Sequence, residues 1–192
     1  MSGDRVSRNP SRLWRTARTC IVVVALLAAL VLVVDPLGLR VPRWVAWQER
    51  IVAADLDGDT TPEQVSLIRS VLEVEDSSGA KLYRSPSSWK VQDVIVCDMT
   101  HDGVPEIVML VWRRGNYGSS RPFWDTGIDL RMTEHLYVMG MRNGRIMPTW
   151  MGHELGREVV EVVAREDGSL SLVERNGAQT HWEWEGFGFV VE

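Results

Sequence analysis

Residues 51–68 read IVAADLDGDTTPEQVSLI, and residues 94–111 read VIVCDMTHDGVPEIVMLV. The two segments align without a gap at a separation of 43 residues, so that Asp55 matches Asp98 and the dipeptide Pro-Glu recurs. In each segment an apolar, β-branched run stands on either side of a short acidic loop. Such runs, bounded by polar turn residues, are typical of two strands joined by a tight turn. The sequence therefore predicts a strand–loop–strand unit that occurs at least twice.

Turn dipeptides and apolar runs divide the rest of the chain in a similar way. Glycines suited to two-residue hairpin turns occur at Ser78-Gly79, Asn143-Gly144 and Asn176-Gly177. Three β units result, at about residues 47–85, 91–151 and 157–192, and each has room for four antiparallel strands. No segment of this body combines helical periodicity with helix caps. We therefore expect an all-β fold with about three antiparallel β units, in a propeller-like or sandwich arrangement.

The first acidic loop has the residue pattern of a calcium site. Carboxylates stand at loop positions one, three, five and nine, which are Asp55, Asp57, Asp59 and Glu63. Odd spacing in a turning backbone directs alternate oxygens to one point, and Ca²⁺ takes about six to eight oxygen ligands. An EF-hand is not indicated, because position six is not glycine and position twelve is not glutamate. The alternative is an Asx-type turn, in which the carboxylates bond only backbone amides.

The acidic loops resemble those of the FG-GAP/VCBS repeat family, which forms the propellers of integrin α-subunits and occurs in many bacterial surface proteins. The resemblance covers most of residues 47–150 and implies propeller blades with structural Ca²⁺ bound between the first two strands. The ligands implied in the first loop are Asp55, Asp57, Asp59, the carbonyl of Thr61, and Glu63. Those implied in the second loop are Asp98, Thr100, Asp102, the carbonyl of Val104, and Glu106.

The chain also departs from that family. Thr100 replaces an aspartate, which predicts weaker binding in the second loop, and the third unit lacks the ligand series. A closed propeller needs at least about four blades, and this chain offers about three units. We therefore expect a partial or open propeller, a compact domain built from the same units, or a propeller that a partner chain closes by oligomerisation.

The amino-terminal part has the pattern of a membrane anchor. Residues 20–34 are apolar throughout, and five arginines precede them. A buried core helix is the alternative, but such helices seldom follow a basic leader. No small-residue cleavage site follows the run, so an uncleaved signal anchor is favoured over a removed signal peptide. By the positive-inside rule the leader lies in the cytoplasm. The expected organisation is a cytoplasmic basic leader, a transmembrane anchor, a linker and an extracytoplasmic domain in a bacterial cell membrane, at residues 1–19, 20–39, 40–46 and 47–192.

The charge distribution excludes one class of partner. Residues 1–43 hold seven arginines and two acidic residues, which leaves 14 basic and 24 acidic residues in the remainder. A body so acidic repels phosphates over most of its surface, so we do not expect it to bind nucleic acid.

A long insertion between Trp112 and Glu134 is the candidate ligand-binding surface. Aromatic rings offer apolar faces, and arginine forks bind carboxylates or sugar acids at two points. An envelope glycan, an acidic polymer or a protein partner would suit it. The alternative is a loop folded over the sheet, with its aromatic residues closing the core. The candidate binding residues are Trp112, Arg113, Arg114, Tyr117, Arg121, Phe123 and Trp124.

No catalytic motif stands out, so the sequence favours a membrane-anchored binding or scaffold protein over an enzyme. The alternative is a cell-envelope hydrolase that acts on polysaccharide or peptidoglycan-like polymer. Such an enzyme would need two facing carboxylates about 5–10 Å apart in a cleft, from Asp or Glu residues near Trp124 and Asp125 of the long loop.

Overall fold

The computed structural model describes residues 18, 20–30, 40–118 and 120–192. Within these residues the fold consists of one short helix at 20–30 and twelve β-strands. The strands are β1 (Arg50–Ala54), β2 (Glu63–Ile68), β3 (Val71–Glu75), β4 (Lys81–Arg84), β5 (Lys90–Cys97), β6 (Glu106–Arg114), β7 (Met132–Arg142), β8 (Arg145–Glu154), β9 (Val159–Ala164), β10 (Leu170–Glu174), β11 (Gln179–Trp184) and β12 (Phe189–Val191).

The strands form three four-stranded antiparallel sheets, each a simple meander. The first sheet contains β1 to β4, the middle sheet β5 to β8, and the third sheet β9 to β12. The prediction of an all-β fold with three units of four antiparallel strands is thereby confirmed, and this arrangement fits a propeller-like fold.

The sheets stack face to face, with the middle sheet buried on both sides. Ile107, Met109 and Val111 of β6 belong to the core shared with the first sheet. Val108 and Leu110, which alternate with them, belong to the core shared with the third sheet. Because side chains of a strand point alternately to the two faces, a strand buried on both needs a continuous apolar run. This explains the sequence EIVMLVW of β6.

The three sheets begin at the same end of the stack. The N–H of Gln48 donates to the carbonyl of Gln92 at 2.9 Å, and Arg50 Nε donates to Asp93 Oδ1 at 2.5 Å. Gln92 Nε2 in turn donates to the carbonyl of Val159 at 3.2 Å. The stack therefore has two distinct ends. We call the end with Lys90 and Arg114 the long-loop pole, and the opposite end, where the acidic loops lie, the acidic-loop pole.

The turns follow the predicted positions but not always the predicted type. Asn143 and Gly144 both have positive φ, at 52° and 68°, and form the expected two-residue hairpin. At Ser78-Gly79 and Asn176-Gly177 the glycine instead follows a wider turn, closed by a hydrogen bond from its N–H to the carbonyl three residues earlier. These are three-residue loops, in which glycine takes the bulge position. A two-residue turn at Arg69-Ser70, with φ of 50° and 63°, was not predicted, because neither residue favours that conformation.

The predicted membrane segment is described only in part. Within the described residues, no helix combines the length and the apolar character that a membrane crossing requires. Most of the predicted leader (1–19) and the last part of the predicted anchor (31–39) lie outside the described residues.

Candidate functional site

The first acidic loop wraps its backbone around the carboxylate of Asp55. Gly58 and Asp59 donate their N–H groups to Asp55 Oδ1 at 2.7 and 3.1 Å, and Thr60 donates to Oδ2 at 2.8 Å. Partial desolvation raises the pKa of Asp55, but the backbone N–H donors together outweigh it, so the pKa lies below its ordinary value. The Asp55 carboxylate is thus ionised and fixed in place by the loop itself.

A buried glutamate closes each loop from the following strand. Glu63 Oε2 accepts the N–H of Leu56 at 2.8 Å, and Glu106 Oε2 accepts the N–H of Met99 at 3.0 Å. Both glutamates are buried although they carry acidic side chains. The repeated Pro-Glu dipeptide therefore has a common structural role in the two loops.

The backbone conformation of the two loops is also the same. Gly58 and His101, which are 43 residues apart, have φ of 79° and 58°. The next such pair, Thr60 and Gly103, have φ of 76° and 90°. Each loop therefore uses the left-handed region at the same two positions but places its glycine at a different one. Sequence comparison alone hides this equivalence.

The first loop brings three carboxylates within reach of one cation. Ligand oxygens of Asp55, Asp57 and Glu63 all lie within 4.8 Å of one another. Since Ca²⁺ binds oxygens at about 2.3–2.6 Å, one ion could touch all three. No lysine or arginine of the described residues forms a salt bridge with any of them. The donor set therefore fits a hard divalent cation.

The remaining implied ligands are placed differently. Asp59 is outside that group of three, and its Oδ1 accepts the N–H of Thr61 at 2.6 Å.

In the second loop the hydroxyl of Thr100 donates to Glu106 Oε1 at 2.6 Å. A hydroxyl hydrogen bond thus takes the place of a carboxylate there. Asp98 accepts the N–H groups of Asp102 and Gly103, and Asp102 accepts that of Val104. Among the described residues, only the first loop gathers three acidic ligands.

Trp112 does not share a surface with the other candidate binding residues. Its side chain is only 5% exposed, and its Nε1 donates to Gln92 Oε1 at 2.7 Å. Its ring also packs edge-on against Trp44, with centroids 6.1 Å apart. Trp112 therefore belongs to the packing between the sheets and the amino-terminal linker.

The long insertion is a folded loop organised by Asp125. The carboxylate of Asp125 accepts bonds from the Tyr117 hydroxyl at 2.6 Å, from Arg121 Nη2 at 2.9 Å and from the N–H of Gly127 at 3.0 Å. These donors, with Tyr117 first, lower the pKa of Asp125 to about 2. Arg121 also donates to the carbonyl of Gly127. The tip of the loop is thus tied together around one ionised carboxylate.

The base of this loop is tied to the edge of the middle sheet. The Thr133 hydroxyl donates to the carbonyl of Gly115 at 2.7 Å. Glu154 donates its N–H to the carbonyl of Asn116 at 2.8 Å, and Gly118 donates to His153 Nδ1 at 3.0 Å. The loop is therefore held at both its base and its tip.

The loop exposes its largest aromatic residues. Phe123 is 90% exposed and Trp124 is 72% exposed, and their rings meet edge to face with centroids 4.9 Å apart. Ile128, four residues further on, is 85% exposed. These side chains do not close the core, in contrast to the alternative that the sequence left open. We call them the apolar tip: Phe123, Trp124 and Ile128.

A basic cleft adjoins the loop at the same pole. A cavity of about 420 Å³ is lined by Ser87, Ser88, Trp89, Lys90, Arg113, Arg114 and Met132. Arg113 donates to the Tyr137 hydroxyl at 3.1 Å. No acidic side chain of the described residues forms a salt bridge with Lys90, Arg113 or Arg114. The sequence did not identify Lys90 or residues 87–89 as part of this surface, because only the pairing of β5 with β6 brings them next to Arg113 and Arg114.

A buried acid lies between the middle and third sheets. Glu134 Oε2 accepts the N–H of Val159 at 3.0 Å, while Oε1 has no partner among the described residues. Burial raises the pKa of Glu134 to about 8, against the effect of the Val159 bond. The side chain is therefore protonated at neutral pH.

Comparison with known proteins adds no relative: no family model, no curated protein and no solved structure matches this chain. The FG-GAP/VCBS resemblance therefore stays a prediction.

Proposed function

We propose that this protein is a membrane-anchored, extracytoplasmic β-repeat protein that binds or scaffolds, with Ca²⁺ stiffening its acidic loops. The observation that carries the proposal is the convergence of Asp55, Asp57 and Glu63 in a loop whose backbone fold recurs 43 residues later. The carboxylates of this loop also accept backbone N–H groups, as in an Asx-type turn, so the convergence of the three acids is what supports the metal.

The bound ion would act on structure. Asp55 follows β1, Asp57 lies in the loop, and Glu63 begins β2, so a cation shared by the three would tie two strand ends together. The family resemblance adds Asp59 and the Thr61 carbonyl as further ligands. In the second loop, where Thr100 replaces an acid, we propose weaker binding by Asp98, Asp102 and Glu106, with the Val104 carbonyl.

The propeller assignment is supported by the stacking of corresponding strands. β1 lies beside β5, β5 beside β9, and β4 beside β8, as in successive blades. The first and third sheets each keep one face outside the two cores. A second chain could cover these faces and close the ring, so oligomerisation belongs to the proposal.

The anchor and the cellular location belong to the same proposal. They are supported by the apolar run at residues 20–34 behind five arginines. The binding surface is proposed at the long-loop pole, where the basic cleft offers Arg113 and Arg114 to an anionic partner such as an acidic envelope polymer.

The alternative of an envelope hydrolase has weaker support. Asp125 is held ionised by Tyr117 and Arg121, and Arg131 lowers the pKa of Asp129. A glycosidase of the usual type needs a carboxyl group with a raised pKa as proton donor. Neither of these two acids has that property. Glu134, at the end of the insertion, does have a raised pKa, but it is buried between the sheets and accepts the N–H of Val159, so it does not face a substrate cleft.

Thermal unfolding of the full-length chain in detergent tests the calcium claim. A ligand that binds only the folded state stabilises it by about 2.7 kcal/mol at a hundred times its Kd. We expect Ca²⁺ to raise the melting temperature relative to chelator, and Asp57→Asn to abolish most of that rise.

Glu166→Gln is the matched control, because it removes an exposed carboxylate from the corresponding turn of the third sheet. Its response to Ca²⁺ should equal that of the wild type. Identical melting curves of the wild-type protein with Ca²⁺ and with chelator would refute the metal claim.

A further inference from the structure

We infer that the long-loop pole docks onto the surface of an anionic lipid bilayer, with the apolar tip inserted at the level of the headgroups. The inference rests on the proposed membrane anchor and adds a second, independent contact of the folded body with lipid.

The first observation is the exposure of the apolar tip. Single exposed hydrophobic residues are ordinary on protein surfaces, but here Phe123 and Trp124 project together, with Ile128 on the same loop. The Asp125 hydrogen bonds hold this loop in shape, so little conformational entropy is lost when it inserts. Phenylalanine and tryptophan are residues that settle at the membrane interface.

The second observation is the charge beside the tip. Lys90, Arg113 and Arg114 line the basic cleft. Arg121 and Asp129 join Arg113 and Arg114 around a neighbouring cavity of about 250 Å³, where Arg121 pairs with Asp125 and Asp129 pairs with Arg131. Lys90, Arg113 and Arg114 form no salt bridge with an acidic side chain of the described residues, so their charge is available to an anionic surface. Basic residues near a surface attract anionic lipid, and Lys90, Arg113 and Arg114 lie at the same pole as the loop that carries the apolar tip.

The third observation is the direction from which the chain arrives. Trp44 packs against Trp112 at the long-loop pole, and the Arg175 guanidinium lies 5.2 Å from the centre of the Trp44 ring. The four peptide units between residues 40 and 44 span at most about 14 Å even when fully extended. A membrane anchor at residues 20–39 therefore tethers the body with this pole towards the bilayer.

The opposite pole carries the acidic loops. Asp55 and Asp98 follow β1 and β5, at the other end of the stack from Arg114. Docking through the long-loop pole thus keeps the acidic loops away from an anionic surface. A soluble glycan explains the cleft but not the tip, because sugars stack on rings that line a groove, whereas Phe123 projects from the surface.

The test uses the full-length chain in lipid nanodiscs that contain brominated acyl chains, which quench tryptophan at the membrane interface. Discs of phosphatidylcholine alone are compared with discs that also contain phosphatidylglycerol. The emission of Trp124 is obtained as the difference between the wild type and Trp124→Phe. We expect strong quenching of this difference signal in phosphatidylglycerol discs, and a loss of that quenching at high salt.

A charge variant separates docking from folding. Lys90→Gln with Arg114→Gln removes two cations that make no salt bridge among the described residues. At about fivefold per charge, the double variant should lower the docking equilibrium constant roughly 30-fold. Arg142→Gln with Arg145→Gln, at the acidic-loop pole, is the matched control and should leave quenching unchanged.

Each failure has its own signature. A chain that does not incorporate into the discs refutes the anchor, whereas an incorporated chain with an unquenched Trp124 refutes the docking alone. Quenching that the charge variant leaves intact also refutes the role of the basic cleft. If soluble polyuronate changes the Trp124 emission while lipid does not, the pole binds a soluble polymer and the inference is overturned.

Discussion

The side chain of Glu63 reaches back across its loop to accept the N–H of Leu56 at 2.8 Å, at a site buried from solvent. Leu56 itself lies in the core between the first and middle sheets. One glutamate thus satisfies a buried amide of a core residue and supplies an oxygen to the three-carboxylate cluster. Substitutions at this position can separate the two roles.

Glu63→Ala should destabilise the protein even without metal, because it leaves the Leu56 N–H unpaired. The expected loss is about 1–3 kcal/mol in the free energy of unfolding, measured by urea denaturation in chelator. Glu63→Gln keeps an oxygen for that bond and should cost less in chelator, yet lose the stabilisation by Ca²⁺. Equal stability of the alanine and glutamine variants in chelator would contradict this assignment.

The conformation of Thr60 offers a stabilising substitution. A β-branched residue at φ of 76° is strained, and the equivalent position of the second loop holds Gly103. Thr60→Gly should therefore stabilise the protein by roughly 1 kcal/mol in chelator. Thr61→Gly, next to it and without positive φ, should destabilise instead. The same sign of change for both variants would show that strain is not the cause.

The raised pKa of Glu134 predicts that the free energy of unfolding declines as the pH rises. Its pKa is about 8 in the folded protein and 4.5 ordinarily, so the folded state binds the extra proton. Its contribution to stability is full below pH 4.5 and falls as the pH rises towards 8. Glu134→Gln should flatten this slope in denaturant titrations at a series of pH values. Glu183→Gln, which removes an exposed acid, should leave the slope unchanged, and an unaltered slope in Glu134→Gln would refute the prediction.

The lowered pKa of Asp125 predicts the opposite dependence of stability on pH. Its pKa is lowered from 3.8 to about 2, so its stabilising effect is present above 3.8 and lost as the pH falls through 2. Asp125→Asn should free the tip at neutral pH and lower the fluorescence anisotropy contributed by Trp124. Asp59→Asn, at the acidic-loop pole, should leave that anisotropy as it is. If Asp125→Asn also leaves the anisotropy of Trp124 unchanged, the carboxylate does not organise the loop.

Much of the fold could be predicted from local patterns, because strands bounded by polar turns can be identified from residues that are neighbours in the sequence. The segment EQVSLIRSVLEVE, for example, forms β2 and β3 as its alternation suggests. The burial of Trp112 agrees with the alternative in which aromatic residues of this segment close the core. Which of them do so could not be predicted, because it depends on packing against Trp44, far away in the sequence.

The basic cleft was missed for a related reason. Only the pairing of β5 with β6, in which Lys90 faces Trp112, brings Lys90 beside Arg113 and Arg114. Such a contact depends on two paired strands and has no signal in the residues around Lys90 alone. The convergence of Asp55, Asp57 and Glu63, by contrast, follows from spacing within one loop, and that part could be predicted.

The middle sheet, covered on both faces, has a consequence for how this architecture can grow. Each outer sheet contributes one layer of side chains to a shared core, and its far side remains free of that core. A further four-stranded meander could pack on the outer face of the first or the third sheet without disturbing any existing layer, because it would bring its own hydrophobic surface. The outer faces of the first and third sheets are thus open to a further layer, whether it comes from the same chain or from a second one.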